Sequence, residues 1–472
     1  MVCSTSTLLG SIQALLLVLF LTCTTTPTDN DLKTAEYIIY RDIMVMLLLG
    51  FGFLMTFLKK YGLSAVGLTM LVTVIAIQLN LFVEPFVRFL YSGKSGVDFP
   101  LPIGITNLID GEFAAATALI SFGAVIGRAT PVQLILMIVL QAFFYAINMV
   151  VIVFGALGAE DVGGKCNCRI FYHANHLLFF HRLLTTPLPS LFLLIALGTL
   201  TIHAFGAYFG IAVSRAFRSP KPWSLSNAKS NAVSDVLSLL GTGLLWIYWP
   251  SFVGATETAS PANYNHCVLH TVLALLGSTG ATFFLSHTIV GKFDPFHIAN
   301  STLAGGVAAG ASARLDMTPG GAILLGIVAG TVSVLGYVYT SPMLEARLSV
   351  YDTCGVHNLH GMPSVIGGLA SAIFVTLDSS ADFLEFGKGE QALRQLLAVV
   401  CTVAFAVVTG LWTGFVMVKV VTDTPLEYDD ASWWESEYLE EVTLVQDKSN
   451  HSRGSILPVM ISHHSSVMIS HE

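Results

Sequence analysis

Charged side chains are scarce in this sequence. Asp, Glu, Lys and Arg make up 11% of the 472 residues, whereas 54% are hydrophobic, and the mean hydropathy is +0.72. A soluble globular domain carries about 25% charged residues, so this chain has too few polar groups to cover a water-facing exterior. The scarcity excludes an ordinary soluble protein and indicates that the lipid bilayer surrounds the chain.

Basic runs, a disulfide pattern and catalytic motifs are also lacking. No stripe of Lys and Arg is present, which argues against nucleic acid as a partner. The seven cysteines are scattered, mostly in or beside apolar runs, so we interpret them as small hydrophobic side chains. The apolar runs hold no nucleophile beside a base, no phosphate loop and no set of metal ligands, so we predict no enzyme, cofactor or metal site.

Long apolar runs are what the sequence has in abundance. We interpret the first as a membrane helix and not as a signal peptide, because no Lys or Arg precedes it. An even number of spans puts both termini on one side, and twelve Lys and Arg against ten favour the cytoplasm. With about 20 apolar residues needed per span, we predict about twelve helices, at 7–24, 42–58, 62–86, 102–127, 131–157, 192–217, 233–250, 266–288, 297–313, 318–341, 354–377 and 393–419.

The chain divides into an apolar domain and a polar tail. Small residues recur in the spans, as at 304–306 and 308–310, and such helices can pack backbone to backbone into a bundle with an interior. We predict a transmembrane domain over 1–423. The remainder, 424–472, is polar and acidic and is predicted to be a disordered cytoplasmic tail.

Two histidine-bearing segments lie inside or at the start of predicted spans, TIHAFG at 201–206 and DTCGVHNLHG at 352–361. One such histidine alone would be interpreted as a satisfied core residue. Two of them, beside small residues in one bundle, indicate a pathway, because a neutral imidazole offers a small polar solute one donor and one acceptor. Asp352 lies eight residues before His360, two helical turns plus about 80°. We therefore predict that it caps or braces the helix start.

These and other segments resemble the Rh glycoproteins, a branch of the ammonium transporter family. The matches follow family order from about 42 to 420, and the longer ones are specific to the Rh branch. They are GFGFLMTFLKKYG at 50–62, LSAVG at 63–67, SFGAV at 121–125, TIHAFGAYFG at 201–210, WPSF at 249–252, TLAGG at 302–306 and DTCGVHNLHG at 352–361.

The resemblance implies two inverted five-helix repeats, a homotrimer with one pore per subunit, and movement of ammonia or ammonium across the plasma membrane. It places the paired pore histidines at His203 and His360, the two pore-mouth phenylalanines at Phe113 and Phe252, and the two bracing aspartates at Asp161 and Asp352. Taken alone, the two phenylalanines would be ordinary core or lipid-facing side chains. Two alternatives stay open: a carbon dioxide or small-amine channel, and a non-conducting membrane scaffold.

One segment has no counterpart in the family pattern. Asp352 precedes His360 by eight residues, whereas Asp161 precedes His203 by 42, and deletion of the 34 residues 165–198 restores the spacing of eight. Codons for Gly164 to Cys166 can contain GTAAGT, a consensus splice donor. Codons for 187–194 can be pyrimidine-rich, and those for Leu197 and Gly198 can supply CTAG, which contains the AG of a splice acceptor. Our hypothesis is that 165–198 is a translated, in-frame intron.

A metal site is the alternative interpretation of this insertion, because it clusters five Cys and His side chains, but their spacing fits no standard zinc pattern. If the insertion is present in the protein, residues 191–197 can rebuild the start of the sixth span. In that case Ile195 stands eight residues before His203 and Asp161 is displaced. The five side chains are Cys166, Cys168, His173, His176 and His181.

Overall fold

The computed structural model of the chain describes residues 5–26, 34–92, 99–157, 198–217, 230–258, 260–378, 387–421 and 429–435. These residues form long helices and one two-residue parallel bridge, β1 (Thr24–Thr25) with β2 (Leu101–Pro102). The prediction of an all-α architecture with about twelve helices is confirmed. The helices are α1 Thr5–Cys23, α2 Ala35–Phe57, α3 Ser64–Tyr91, α4 Ile105–Val125, α5 Pro131–Ala156, α6 199–216, α7 Ala232–Gly254, α8 Pro261–Val290, α9 295–309, α10 Pro319–Leu348, α11 His357–Leu377 and α12 Lys388–Val420.

Within the described ranges, ten of these helices are long and apolar enough to cross a membrane. The other two are α6 and α9, and α9 is interrupted between Ser301 and Ala304. The first helix packs onto the bundle, with the rings of Phe20 and Phe82 4.8 Å apart edge to face. The chain is therefore a multi-pass membrane protein.

Several helices extend beyond the apolar runs that predicted them, and the second and the tenth do so by the most residues at a single end. The second begins at Ala35 rather than at 42, and its added turns carry the polar side chains of Glu36 and Arg41. The tenth continues to Leu348 rather than ending at 341. Hydropathy underestimates such ends because a polar turn can remain helical outside the hydrocarbon region.

Several helices begin with a capping side chain followed directly by proline. In α5, Thr130 Oγ1 accepts from the backbone N–H of Gln133, and the Gln133 side chain accepts from the Thr130 N–H. Proline suits the first helical position because its missing N–H has no intrahelical partner there. The same arrangement of cap and proline starts α8 at Ser260, α9 at Asp294 and α10 at Thr318.

Glycine allows α8, α9 and α10 to pack at backbone distance. A Cβ added at Gly326 would lie 1.9 Å from the carbonyl oxygen of Ala274, and one added at Gly305 would lie 2.1 Å from the same atom. A Cβ at Gly277 would meet the carbonyl oxygen of Ile323 at 2.2 Å. No side chain fits at these three positions, so the predicted packing through small residues is present in this part of the bundle.

Part of the tail is folded against the bundle. The carboxylate of Asp430 accepts from the backbone N–H groups of Leu63 and Ser64 at 2.7 and 2.9 Å, which caps the start of α3. The indole Nε1 of Trp434 donates to Ser64 Oγ at 3.0 Å, and its ring fills the space beside Gly67, where a Cβ would lie 2.1 Å away. The prediction of disorder from 424 onward is thus wrong for residues 429–435, because two capping bonds and the half-buried ring of Trp434 hold them.

Candidate pore site

Two phenylalanine rings meet at one end of the bundle interior. Phe113 of α4 and Phe252 of α7 have ring centroids 5.3 Å apart in an edge-to-face arrangement, and both side chains are buried. The two residues come from helices that the sequence separates by more than a hundred positions. This pair, called the phenylalanine pair below, brings together the two phenylalanines that the resemblance names, but their rings meet edge to face and are not stacked.

The two histidines lie next to this pair and contact each other. The rings of His203 and His360 are nearly parallel, with centroids 5.1 Å apart and planes 7° apart. Their Nδ1 atoms are 3.1 Å apart, and the side chains are 2% and 3% exposed. His203 also lies 6.0 Å from Phe252, centroid to centroid, so the histidine pair continues inward from the phenylalanine pair.

Local backbone geometry presents both histidines. His203 stands in the π-helical turn Thr199–Ala204, and His360 stands in the π-helical turn His357–Gly361. A π-helical turn widens the helix locally, and such turns are frequent at functional sites. Neither turn was predicted from the sequence pattern.

The contact between the two Nδ1 atoms restricts the tautomers of the histidine pair. One ring must carry a hydrogen on Nδ1 and donate it, and the other ring must accept it. If both rings are neutral, the donor ring is left with a free acceptor at Nε2 and the acceptor ring with an N–H at Nε2. The pair can therefore offer one acceptor and one donor to a small solute at the same time.

Aromatic rings line this region of the bundle on both sides. Trp249 stacks on His203 with centroids 5.6 Å and planes 17° apart, and Phe51 stacks on His360 at 6.1 Å and 19°. The indole Nε1 of Trp249 has no hydrogen-bond partner among the described residues. The surroundings of the two imidazoles are thus mainly apolar, and an unpaired ion would be costly there.

Asp352 lies at the opposite end from the phenylalanine pair. Cys354 donates its backbone N–H to the carbonyl of Gly123 at 3.0 Å, and Gly123 is ten residues, about 15 Å, along α4 from Phe113. The Asp352 carboxylate accepts from the backbone N–H groups of Val356 and His357 at 2.9 and 2.8 Å. Burial raises the pKa of Asp352 to about 6, against the lowering effect of these bonds. The aspartate caps the start of α11, the helix that carries His360.

A family model described as the Ammonium Transporter Family matches residues 34–431 of this chain. The chain belongs to the Ammonium Transporter Family. It is 37% identical over 433 residues to the Ammonium transporter Rh type B-A of Xenopus laevis, a match that covers 87% of this chain and 84% of the relative. It is 34% identical over 449 residues to the Ammonium transporter Rh type B of Sus scrofa, with 91% and 87% covered.

The fold of this family member also matches a solved Rh structure. The structure titled Nitrosomonas europaea Rh50 superimposes with a TM-score of 0.70 at 31% identity, covering 89% of this chain and 98% of that one. These relatives support the resemblance that the sequence motifs gave, and they place the chain in the Rh branch.

Two predicted features lie outside the described residues. Asp161, the expected brace of His203, is one of them, and residues 165–197 of the predicted insertion 165–198 are the other. The Cys and His side chains of the alternative metal site fall inside that range. In the part of the chain that the structure describes, no three His, Cys, Asp or Glu side chains converge as a metal site.

Trp249 and Phe51 were not predicted as neighbours of the histidine pair. Both residues stood inside quoted motifs, WPSF and GFGFLMTFLKKYG, but aromatic residues in apolar runs are usually core residues. A signal for Trp249 was available in the Gly-Gly pair of 305–306. A Cβ at Gly306 would lie 2.7 Å from the indole Nε1, so this glycine provides the space for the ring.

Proposed function

We propose that this chain conducts ammonia across a membrane along the line that begins at the phenylalanine pair and continues past His203 and His360. The observation that carries the proposal is the stacked histidine pair, buried in an apolar interior, with Nδ1 atoms 3.1 Å apart. A buried polar pair of this kind suits a small solute that both donates and accepts hydrogen bonds. The names of the Rh relatives support ammonium as the substrate.

The proposed path favours neutral ammonia in its middle section. A bare ammonium ion between apolar walls would bear a desolvation cost of several kcal/mol or more. The ion therefore pauses at the phenylalanine pair, where aromatic faces attract cations weakly, and gives up a proton to water on the side it came from before neutral ammonia passes inward. The histidine pair then receives ammonia with its Nε2 acceptor and Nε2–H donor.

The phenylalanines and the aspartates contribute to this path by excluding water and by holding the helices in place. Phe113 and Phe252 exclude water when their rings are in contact. Asp352 holds the start of α11, and Asp161 would hold the start of α6 in the same way if residues 165–198 were absent. In this proposal the protein is a homotrimer with one pore per subunit, lies in the plasma membrane and has both termini in the cytoplasm.

The test is ammonium-driven alkalinisation of the lumen of proteoliposomes that contain a pH dye. The chain as written is compared with a chain lacking 165–198 and with protein-free vesicles. We expect alkalinisation faster than in protein-free vesicles for the shortened chain, because its Asp161 regains the spacing of Asp352. Vesicles that behave like protein-free ones with both chains would contradict the proposal and favour a scaffold.

A further inference from the structure

A third histidine follows the histidine pair toward the Asp352 end of the bundle. His357 belongs to the same π-helical turn as His360, and its side chain is half-buried whereas His203 and His360 are fully buried. The backbone N–H of His357 donates to Asp352, which lies at the end opposite the phenylalanine pair. His357 is therefore the histidine closest to that mouth in its turn.

The ring of His357 faces α6, the helix that carries His203. It contacts the ring of Tyr208 edge to face, with centroids 5.8 Å apart. A Cβ added at Gly361 would lie 3.4 Å from Cδ2 of His357, 3.5 Å from Cβ of Ala207 and 3.5 Å from Cζ of Tyr208. The Cδ2 edge of the imidazole thus lies in the groove between α6 and α11, the same two helices that hold the histidine pair.

The neighbours of His357 fix its tautomer. Asn358 donates its side-chain N–H to Ser341 Oγ at 2.6 Å, which orients the amide. The amide oxygen then lies 3.5 Å from Nδ1 of His357 and can only accept. Nδ1 therefore carries the hydrogen and Nε2, which is bonded to Cδ2, is an acceptor on the edge that faces α6.

We propose that His357 is a third binding residue for ammonia, which accepts an N–H of the solute at Nε2 after it leaves His360. This inference rests on the proposed function and deepens it, because it adds a polar step between the buried pair and the open mouth. Tyr208, whose ring contacts His357, is a half-buried residue of α6 with a polar group of its own. The step requires no proton transfer and no charge on the histidine.

The experiment compares His357→Leu and His357→Gln with their parent in the alkalinisation assay. The parent is the chain as written. If only the shortened chain conducts, the parent is the chain lacking 165–198. Leucine removes the acceptor and keeps much of the volume, so we expect the rate to fall about five- to tenfold, the effect of one hydrogen bond. Glutamine supplies a side-chain oxygen and should restore at least part of the rate. His287→Leu, at an exposed position of α8, is the matched control and should conduct like the parent.

Each outcome decides the matter. A reduced rate with leucine and recovery with glutamine supports the inference. Parent-like rates with both variants overturn it, and so do equally low rates with both, which would assign His357 a packing role against Tyr208. If neither parent chain conducts, the proposed function is overturned together with this inference. Parent-like rates with both variants, or equally low rates with both, overturn this inference alone and leave the proposed function standing.

Discussion

His203 and His360 stand 157 positions apart in the chain, yet their Nδ1 atoms are 3.1 Å apart and their rings are nearly parallel. This contact joins a turn of α6 to a turn of α11. Each of the two rings also stacks on an aromatic side chain from another helix. Trp249 covers the face of His203, and Phe51 covers the face of His360.

Gly306→Ala should displace Trp249 and slow ammonium conduction. The added Cβ would lie 2.7 Å from the indole Nε1, and overpacking of this kind typically costs about 1–3 kcal/mol. Trp249 stacks on His203, so a shift of the indole disturbs the histidine pair. The measurement is the vesicle alkalinisation rate, expected to fall about tenfold. Gly243→Ala is the control on α7, since no atom lies within 4 Å of its added Cβ. Equal rates in the two variants would show that Trp249 tolerates displacement.

Asp352→Asn should remove a pH-dependent part of the thermal stability. The pKa of Asp352 is about 6 in the folded protein against 3.8 for the unperturbed group, so the folded state binds more protons than the unfolded state between these values. The contribution of this carboxyl to stability is therefore greatest below pH 4 and falls as pH rises through 6, by at most about 1.4 kcal/mol per pH unit.

The measurement for Asp352 is the melting temperature of the detergent-solubilised protein from pH 4 to 7.5. The melting temperature of the parent, relative to that of Asp352→Asn, should fall as pH rises from 4 to 6 and stay constant above about pH 7. A difference in melting temperature that does not vary with pH would mean that burial does not raise the pKa of this carboxyl. Because the comparison is between two variants, titration of other groups cancels.

Asp430→Ala should loosen the folded part of the tail. Loss of a side chain that caps a helix start costs about 1 kcal/mol, and Asp430 accepts from two backbone N–H groups of α3. We expect a lower melting temperature and faster proteolysis of the tail. Asp429→Asn is the matched control, because its ion pair with Lys60, at 3.4 Å and partly exposed, contributes about 0–1 kcal/mol. If both variants melt like the parent, the capping bonds are not significant for stability.

The tail illustrates what the sequence could not predict. Residues 429–435 are polar and follow an apolar helix, so composition alone indicates disorder. Their order depends on partners far away in the chain, the N–H groups of Leu63 and Ser64 and the space beside Gly67. Such complementarity has no local pattern. The helices, in contrast, could be predicted because each must supply about 20 apolar residues of its own.

The candidate site also has features that could be predicted from the sequence and features that could not. His203, His360, Phe113 and Phe252 could be proposed from family motifs, and the structure brings both pairs into contact. The spacing of eight residues between Asp352 and His360 predicted a cap, which is the geometry observed. The stacking of Trp249 on His203 could not be predicted, because it depends on the crossing of α6 and α7 and on the space left by Gly306.

The intron hypothesis makes a prediction about transcripts. Sequencing of cDNA across the codons for Gly164 and Thr199 should find a product 102 nucleotides shorter, joined at the GTAAGT and AG positions, because residues 165–198 number 34. Amplification across the junction of α7 and α8, where no insertion is proposed, is the control for intact message. If every read retains the 102 nucleotides, the segment is part of the protein.

The most direct test of the account is the selectivity of conduction after removal of either pore histidine. His203→Ala and His360→Ala each remove a ring from the pair, and we expect ammonium-driven alkalinisation to fall about tenfold or its preference over potassium to change, with folded oligomers retained on size-exclusion chromatography. Rates and selectivity equal to those of the parent in both variants would contradict the claim that ammonia crosses the membrane past His203 and His360.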